Sequence, residues 1–130
     1  MELVNKLDYK NIISLKSISD KNIKLEKILK KKFKFKNFYS DYKKILNDKE
    51  IDVVLILTSM KEHAGIAKEA LQNKKHVLVE KPMATNMKDL KELYLLAKKS
   101  KTYLIAAPFV ILSPTFQAIH QELNKNTIGK

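Results

Sequence analysis

Short apolar runs alternate along the chain with segments in which apolar residues recur at helical spacing. The runs predict strands at about residues 12–19, 53–57, 76–79 and 103–107, with a further short segment at 35–39. The run 53-VVLIL-57 has no polar interruption, which is typical of a parallel strand buried on both faces. Strand and helix alternate about five times, so we expect an α/β fold: a doubly wound parallel sheet with helices on both faces.

Three of the predicted helices carry clear local signals. Ser59 and Glu62 have the spacing of a capping box, and the helix that they would start has an apolar side formed by Ile66, Ala67, Ala70 and Leu71. In the next helix, from about residue 86 to 99, the residues expected to face inward are Met87, Leu90, Tyr94 and Ala97. The last helix begins at 113-SP-114, where serine is a natural N-cap and proline suits the first turn.

Composition limits the functional classes. The 130 residues contain no cysteine and no apolar run near the ~18 residues of a membrane span, and the first ten residues lack a signal core. We therefore expect a cytoplasmic protein without membrane association. The net charge of +12 comes entirely from lysines, since the chain has no arginine. The absence of arginine argues against specific nucleic-acid recognition, and a solvated lysine surface is the alternative that we favour.

Polar residues follow three of the predicted strands. Ligands of such sheets bind at the carboxyl ends of the strands, where this chain has Asp20, the turn 58-TSMKEH-63 and the turn 80-EKP-82. Because these ends meet at one edge of the sheet, that edge is the predicted binding site.

The first two positions each have a structural alternative. A carboxylate at Asp20 is placed to hold the adenosine ribose of a dinucleotide, or to cap the following helix. Thr58 and Ser59 precede a helix N-terminus, which favours an anion, although plain capping explains them equally well. His63 falls on the first turn of that helix, where a lone histidine is more often a packed core residue than a catalyst.

The segment Glu80-Lys81-Pro82 is harder to explain structurally. A charged pair at a strand end is costly to bury, and proline fixes the backbone there and allows a cis peptide bond. A lysine held beside a nicotinamide can bond a substrate hydroxyl and help to take its proton as hydride leaves. The alternative is a surface ion pair before a turn.

These residues resemble a known family. The block 52-DVVLILTSMKEHAGIAKEALQNKKHVLVEKPMA-84 is similar to the N-terminal domain of the glucose–fructose oxidoreductase / inositol dehydrogenase family (Gfo/Idh/MocA type). The hallmark of that domain is a strand with a Thr-Pro-Asn-x-x-His turn, then a helix and Gly-Lys-His-Val-Leu-x-Glu-Lys-Pro. The segments 40-SDYKKILNDKEIDVV-54 and 113-SPTFQAI-119 also resemble the family.

The resemblance implies a Rossmann-type domain of an NAD(P)-dependent oxidoreductase that acts on a sugar, polyol or related hydroxyl compound. By the same resemblance, Lys81 would lie near the nicotinamide and the substrate as the catalytic residue, and Glu80 would contact the nicotinamide ribose region. Asp20, Thr58, Ser59, His63 and Pro82 would complete the cofactor site, and no metal is implied. Asp20 favours NAD over NADP, since a carboxylate repels a 2′-phosphate, but nearby lysines weaken that preference. The family also implies a homo-oligomer.

The chain departs from the family in several places. Ser59 and Met60 replace the Pro and Asn of the turn, and Lys74 replaces the helix-ending Gly, which leaves Asn73 as the candidate for the left-handed residue. The segment 109-FVI-111 replaces a polar Asn-Arg segment. The opening strand with Gly-x-Gly-x-x-Gly has no counterpart, because the only glycines are Gly65 and Gly129.

We therefore expect a fragment of such an oxidoreductase. Residues 1–110 would form a partial dinucleotide-binding domain that lacks the first strand and the glycine-rich loop, and residues 111–130 would begin the substrate domain. An alternative of another class is a non-catalytic remnant, or an interaction module whose unpaired sheet edge accepts a strand from a partner.

Without the phosphate-binding loop and the second domain, this chain is predicted to bind NAD(P) weakly or not at all and to show no turnover. Isothermal titration of the purified chain with NAD+ and NADP+ checks this expectation. Micromolar affinity for either dinucleotide would contradict it.

Overall fold

The structure is a computed structural model that describes residues 13–107 and 113–127. The chain divides into two compact units, with the division between Val54 and Leu55. No helix among the described residues is long and apolar enough to cross a membrane. The boundary expected at 110/111 falls in residues 108–112, outside the described part of the chain, and stays a prediction.

The first unit contains a parallel two-stranded sheet. Its elements are β1 (Ser17–Ser19), helix α1 (Leu25–Lys32), β2 (Asn37–Tyr39) and the single-turn helix α2 (Lys43–Leu46). Ile18 is the register partner of Phe38, and the backbone N–H of Asp20 extends the pairing by donating to the Tyr39 carbonyl at 3.0 Å. Asp20 therefore follows the end of β1 directly, as the sequence predicts.

In the first unit, an ion-pair cluster centred on Lys16 holds the loop that follows α2. The Lys16 ammonium lies 3.0 Å from a carboxylate oxygen of Asp48 and also contacts the Glu50 carboxylate. The hydrogen bond from Lys16 lowers the pKa of Glu50, and the same bond raises the pKa of Lys16. The loop is therefore tied electrostatically to the residue that precedes β1.

The second unit builds the longer sheet. Strand β3 (Val53–Ile56) crosses the division between the units and is followed by α3 (Met60–Gln72), β4 (His76–Val79), α4 (Met87–Ser100), β5 (Leu104–Ala106) and α5 (Pro114–Asn124). Strand β4 lies between β3 and β5 and runs parallel to β5, with Leu78 opposite Ile105. Helix α3 packs against both β4 and α4.

The core of this unit lies between the sheet and α3. Its fully covered apolar side chains come from β3, α3, β4 and α4; they are Ile56, Ile66, Ala67, Ala70, Leu71, Val77, Val79 and Leu93. The apolar face predicted for α3 is thereby confirmed. It could be predicted because four apolar positions at helical spacing define a single face of that helix. The last helix also begins as predicted, since the Ser113 hydroxyl accepts the Phe116 N–H and Pro114 is the first helical residue.

Two predicted burials are wrong. Strand β3 is covered on one face only, since Val53 and Leu55 are 58% and 43% exposed while Ile56 is buried. Helix α4 turns Leu93 into the core and leaves Met87 and Tyr94 63% and 59% exposed. This helix carries two apolar stripes at helical spacing. Its contact with α3 buries the stripe that contains Leu93, whereas the sequence pattern predicted burial of the stripe that contains Met87 and Tyr94.

The end of α3 corrects another expectation. Lys74, not Asn73, adopts the left-handed conformation, with φ at 57°. The N–H of Lys75 donates to the Ala70 carbonyl at 3.0 Å and the N–H of Lys74 donates to the Leu71 carbonyl at 2.9 Å. These two bonds define a Schellman motif, which places the left-handed residue one position beyond the C-cap. Asn73 is that C-cap, and its side chain donates to the Glu69 carbonyl.

Replacing the left-handed lysine is expected to stabilise the second unit. Lys74→Gly should raise the free energy of unfolding by about 0.5–1 kcal/mol, because glycine adopts positive φ without the Cβ clash. Urea denaturation measures the change. Lys91→Gly, at an exposed position inside α4, is the matched control and should lose a similar amount. A loss of stability in both variants would contradict the assignment of strain to Lys74.

The lowered pKa of Glu50 predicts a pH-dependent contribution. Because its folded-state pKa lies below the unfolded value, the stabilising contact is present above the ordinary glutamate range and is lost as pH falls through the folded value. Glu50→Gln should therefore be less stable than the parent chain at pH 7 and equally stable at low pH, as measured by urea denaturation. The difference should be small and should shrink in 1 M salt, since the Glu50 side chain is 78% exposed. A difference that persists at low pH would contradict the electrostatic cause.

Candidate functional site

The turn after β4 carries the charged residues of the site. The Glu80 N–H donates to the Ile56 carbonyl at 2.9 Å, and the Val79 carbonyl accepts from the Ala107 N–H at 2.8 Å, so the strand is held on both sides to its last residue. Glu80 is half-buried, Lys81 and Pro82 are exposed, and the peptide bond between Lys81 and Pro82 is cis. The sheet therefore delivers Lys81 to its carboxyl edge at the first position beyond the hydrogen-bonded ladder.

The turn after β3 leads directly into α3. Thr58 and Ser59 are exposed, and Ser59 is the N-cap residue with extended backbone. The expected capping box forms only in part: the Ser59 hydroxyl donates to the Glu62 carboxylate at 3.3 Å instead of accepting a backbone N–H, and the Glu62 N–H donates to the Ser59 carbonyl. The serine side chain thus fixes the acidic residue of the first turn and not the helix backbone.

His63 joins these two turns. Its side chain is 1% exposed, with Nδ1 2.8 Å from the Pro82 carbonyl oxygen and Nε2 3.0 Å from the Thr58 carbonyl oxygen. A carbonyl oxygen only accepts, so each contact is a hydrogen bond when the facing ring nitrogen carries a hydrogen: a doubly protonated ring donates to both carbonyls, and a neutral ring donates to one of them. The His63 ring is buried, as expected for a packed core residue. Its contact with a cofactor stays a prediction.

The structure brings together six of the seven residues proposed from the sequence. Thr58 and Pro82 are linked through His63, Ser59 follows Thr58, and Glu80 and Lys81 precede Pro82. The sequence did not predict that the Thr58 and Pro82 carbonyls share one ring, because that contact depends on a turn conformation with no local sequence signature.

Asp20 belongs to the other compact unit. Its Oδ1 atom accepts the Asn22 N–H at 2.8 Å, which forms an Asx turn. The N-cap of α1 is Lys24, so the alternative in which Asp20 caps the helix is not observed. A ribose-binding role for this carboxylate stays a prediction.

The charges of Glu80 and Lys81 are not paired with each other. Within residues 13–107 and 113–127, Lys16, Lys30, Lys68 and Lys125 form ion pairs, and none of these pairs involves Glu80 or Lys81. The surface ion pair considered as an alternative for Glu80-Lys81 is therefore not formed in the described part of the chain. Both charged groups stand at the sheet edge where ligands of parallel sheets bind.

A groove of about 700 Å³ runs along α4 and β5 and extends to Met83, next to the Glu-Lys-Pro turn. Its lining is mostly apolar and includes Leu90, Tyr94 and Tyr103, and it does not include Glu80 or Lys81. Since the groove lacks the charged residues of the two turns, we place the candidate site at the turns and not in the groove.

Comparison with known proteins extends these observations. Residues 3–107 match a family model described as an oxidoreductase family with an NAD-binding Rossmann fold (GFO_IDH_MocA). A curated relative, trans-1,2-dihydrobenzene-1,2-diol dehydrogenase from Danio rerio, is 32% identical over 92 residues, which are 71% of this chain.

Solved structures show the same similarity. Levoglucosan dehydrogenase in complex with NADH and levoglucosan superimposes with a TM-score of 0.79 and 30% identity over 88% of this chain. A variant of a 3-ketoreductase from Actinomadura kijaniata, in complex with TDP-benzene and NADP, superimposes with a TM-score of 0.85 over 98% of the chain. Its 20% identity supports the fold alone. The chain spans 28% of the Danio rerio protein, 31% of levoglucosan dehydrogenase and 40% of the ketoreductase.

Proposed function

Since the chain belongs to the Gfo/Idh/MocA oxidoreductase family with an NAD-binding Rossmann fold, we propose that it supplies the nicotinamide end of an NAD(P)-dependent dehydrogenase site. The family resemblance and the Rossmann-type α/β fold predicted from the sequence are confirmed. The roles of individual residues, the substrate and turnover are our proposals.

The observation that carries the proposal is the placement of Lys81. It follows the last ladder residue of β4 and lies in the turn that the His63 ring ties to the start of α3. An exposed ammonium at the carboxyl edge of a parallel sheet, beside a helix N-terminus, suits a ligand with a polar reacting end and an anionic backbone. Nicotinamide dinucleotides have both.

We assign Lys81 to the reacting centre. A bound nicotinamide would supply the hydride acceptor. As an ammonium, Lys81 would donate a hydrogen bond to the hydroxyl oxygen of the substrate and stabilise the negative charge that develops there. The hydroxyl proton would pass to water as the C–H electron pair leaves as hydride, so that the hydroxyl becomes a carbonyl. Glu80, half-buried beside it, would orient the ribose next to the nicotinamide by accepting from a ribose hydroxyl. Ser59 and Thr58 would line the cofactor from the neighbouring turn.

The residues present suit the pyrophosphate end less well. The chain has two glycines, and Gly65 lies inside α3, where no glycine-rich loop can form. We therefore propose that this chain alone binds a dinucleotide weakly and does not turn over substrate. Either NAD or NADP is consistent with the neighbouring structures. The Asp20 carboxylate leads us to favour NAD, by repulsion of a 2′-phosphate.

The proposed substrate is a sugar, polyol or related hydroxyl compound. The names of two similar proteins, a dihydrobenzenediol dehydrogenase and levoglucosan dehydrogenase, denote cyclic compounds that carry hydroxyl groups. Because the chain spans about a third or less of either protein, substrate selection is proposed for the whole enzyme and not for this segment. A cytoplasmic location and a homo-oligomer remain predictions.

A second candidate function is that of an interaction module whose sheet edge accepts a strand from a partner. Strand β3 pairs with β4 on one side, and its exposed face carries Val53 and Leu55. A partner strand added to the other side of β3 would continue the ladder. Concentration-dependent association that Val53→Lys abolishes, without any response to dinucleotide, would favour this alternative.

Titration of the labelled chain with NADH, followed by NMR, tests the proposal. Millimolar NADH should shift the amides of residues 80–83 and 58–63, because these two turns form the proposed nicotinamide end. Lys81→Met should remove most of the response at 80–83, whereas Lys99→Met, on exposed α4 surface, should not. Shifts confined to the lysine cluster at 30–36 would indicate non-specific anion binding and would contradict the proposal.

A further inference from the structure

Lys81 is bracketed by two backbone contacts. On its N-terminal side, the Glu80 N–H donates to the Ile56 carbonyl at 2.9 Å, which is the last bond between β3 and β4. On its C-terminal side, the Pro82 carbonyl lies 2.8 Å from His63 Nδ1. The sheet fixes one side of Lys81, and a single side chain fixes the other.

The His63 ring is suited to hold that second point. It is 1% exposed, so water does not compete for its two nitrogens, and it projects from the first turn of a 13-residue helix whose inner face is fully packed. The same ring lies 3.0 Å from the Thr58 carbonyl through Nε2. Movement of the Lys81 turn therefore requires movement of the ring, of α3, or of the turn before α3.

We propose that His63 is a positioning residue: it sets the backbone of Lys81 through the Pro82 carbonyl and couples that turn to the Thr58 turn. In this role His63 acts through its neighbours, by way of the two backbone carbonyl groups that its ring contacts. The inference rests on the reacting-centre role proposed for Lys81, while the bracket itself is a property of the unliganded chain.

Two substitutions separate the two contacts of the ring. In asparagine the amide nitrogen is two bonds from Cβ, as Nδ1 is in histidine, and in glutamine it is three bonds away, as Nε2 is. His63→Asn therefore keeps a donor for the Pro82 carbonyl, and His63→Gln keeps a donor for the Thr58 carbonyl. A residue that only fills space would lose stability in both variants without distinguishing the two turns.

The test compares backbone amide resonances of the full chain in the absence of ligand. His63→Gln should shift Lys81 and Met83 more than Ser59 and Met60, and His63→Asn should do the reverse. His76→Gln is the matched control, since His76 accepts the Tyr103 N–H at 2.9 Å at the opposite end of β4 and should leave Lys81 in place. Equal shifts at both turns in the two His63 variants would overturn the inference.

A measurement on the parent chain covers the case in which a variant does not fold. Long-range ¹H–¹⁵N correlation of the His63 ring should show a ring N–H that exchanges slowly with solvent, in contrast to the exposed His120 ring. A rapidly exchanging His63 ring would overturn the bracket.

Added NADH separates this inference from the proposed function. If the variants behave as expected and NADH leaves residues 80–83 of the parent chain unchanged, the dinucleotide role fails and the bracket stands. If NADH shifts Lys81 in the parent chain and His63→Gln responds with the same affinity and the same shifts, the positioning role fails.

Discussion

Backbone carbonyl groups just beyond the ends of parallel strands have no ladder partner and take their hydrogen bonds from other groups. In this chain one imidazole faces two such carbonyls, those of Thr58 and Pro82, from the first turn of α3. The contact determines more than local order, because the two turns are the ends of adjacent strands and carry the residues of the candidate site. The position of Lys81 depends on it.

Much of this arrangement could be predicted from the sequence. The bounds of β4, the buried face of α3 and the N-cap at Ser113 follow from strong local patterns: a short apolar run, four apolar positions at helical spacing, and a serine–proline pair. The position of the candidate site followed from a topological rule, since ligands of parallel sheets bind at the carboxyl ends of strands. These features depend on neighbours that are close in sequence or on the alternation of strand and helix.

The features that could not be predicted depend on contacts between elements that are distant in sequence. Helix α4 has two apolar stripes, and only its packing against α3 decides that Leu93 is buried and Tyr94 is exposed. Lys74 is a local exception: it is left-handed because the Schellman motif places that conformation one residue beyond the C-cap, which is Asn73, although asparagine tolerates the conformation better than lysine does. The link between His63 and Pro82 spans 19 positions and depends on the shape of a turn.

The two ends of a dinucleotide place different demands on this chain. The nicotinamide end requires orientation, and the bonds on either side of Lys81 come from Ile56, α3 and β4, all of which lie in the second compact unit. The pyrophosphate end requires close approach of backbone N–H groups, which glycines allow and which this sequence does not offer before Gly65. Affinity depends on both ends, whereas the geometry around the reacting atom depends on the first. The conformation of the Glu-Lys-Pro turn therefore bears on the geometry around the reacting atom and not on the affinity of this chain for a dinucleotide.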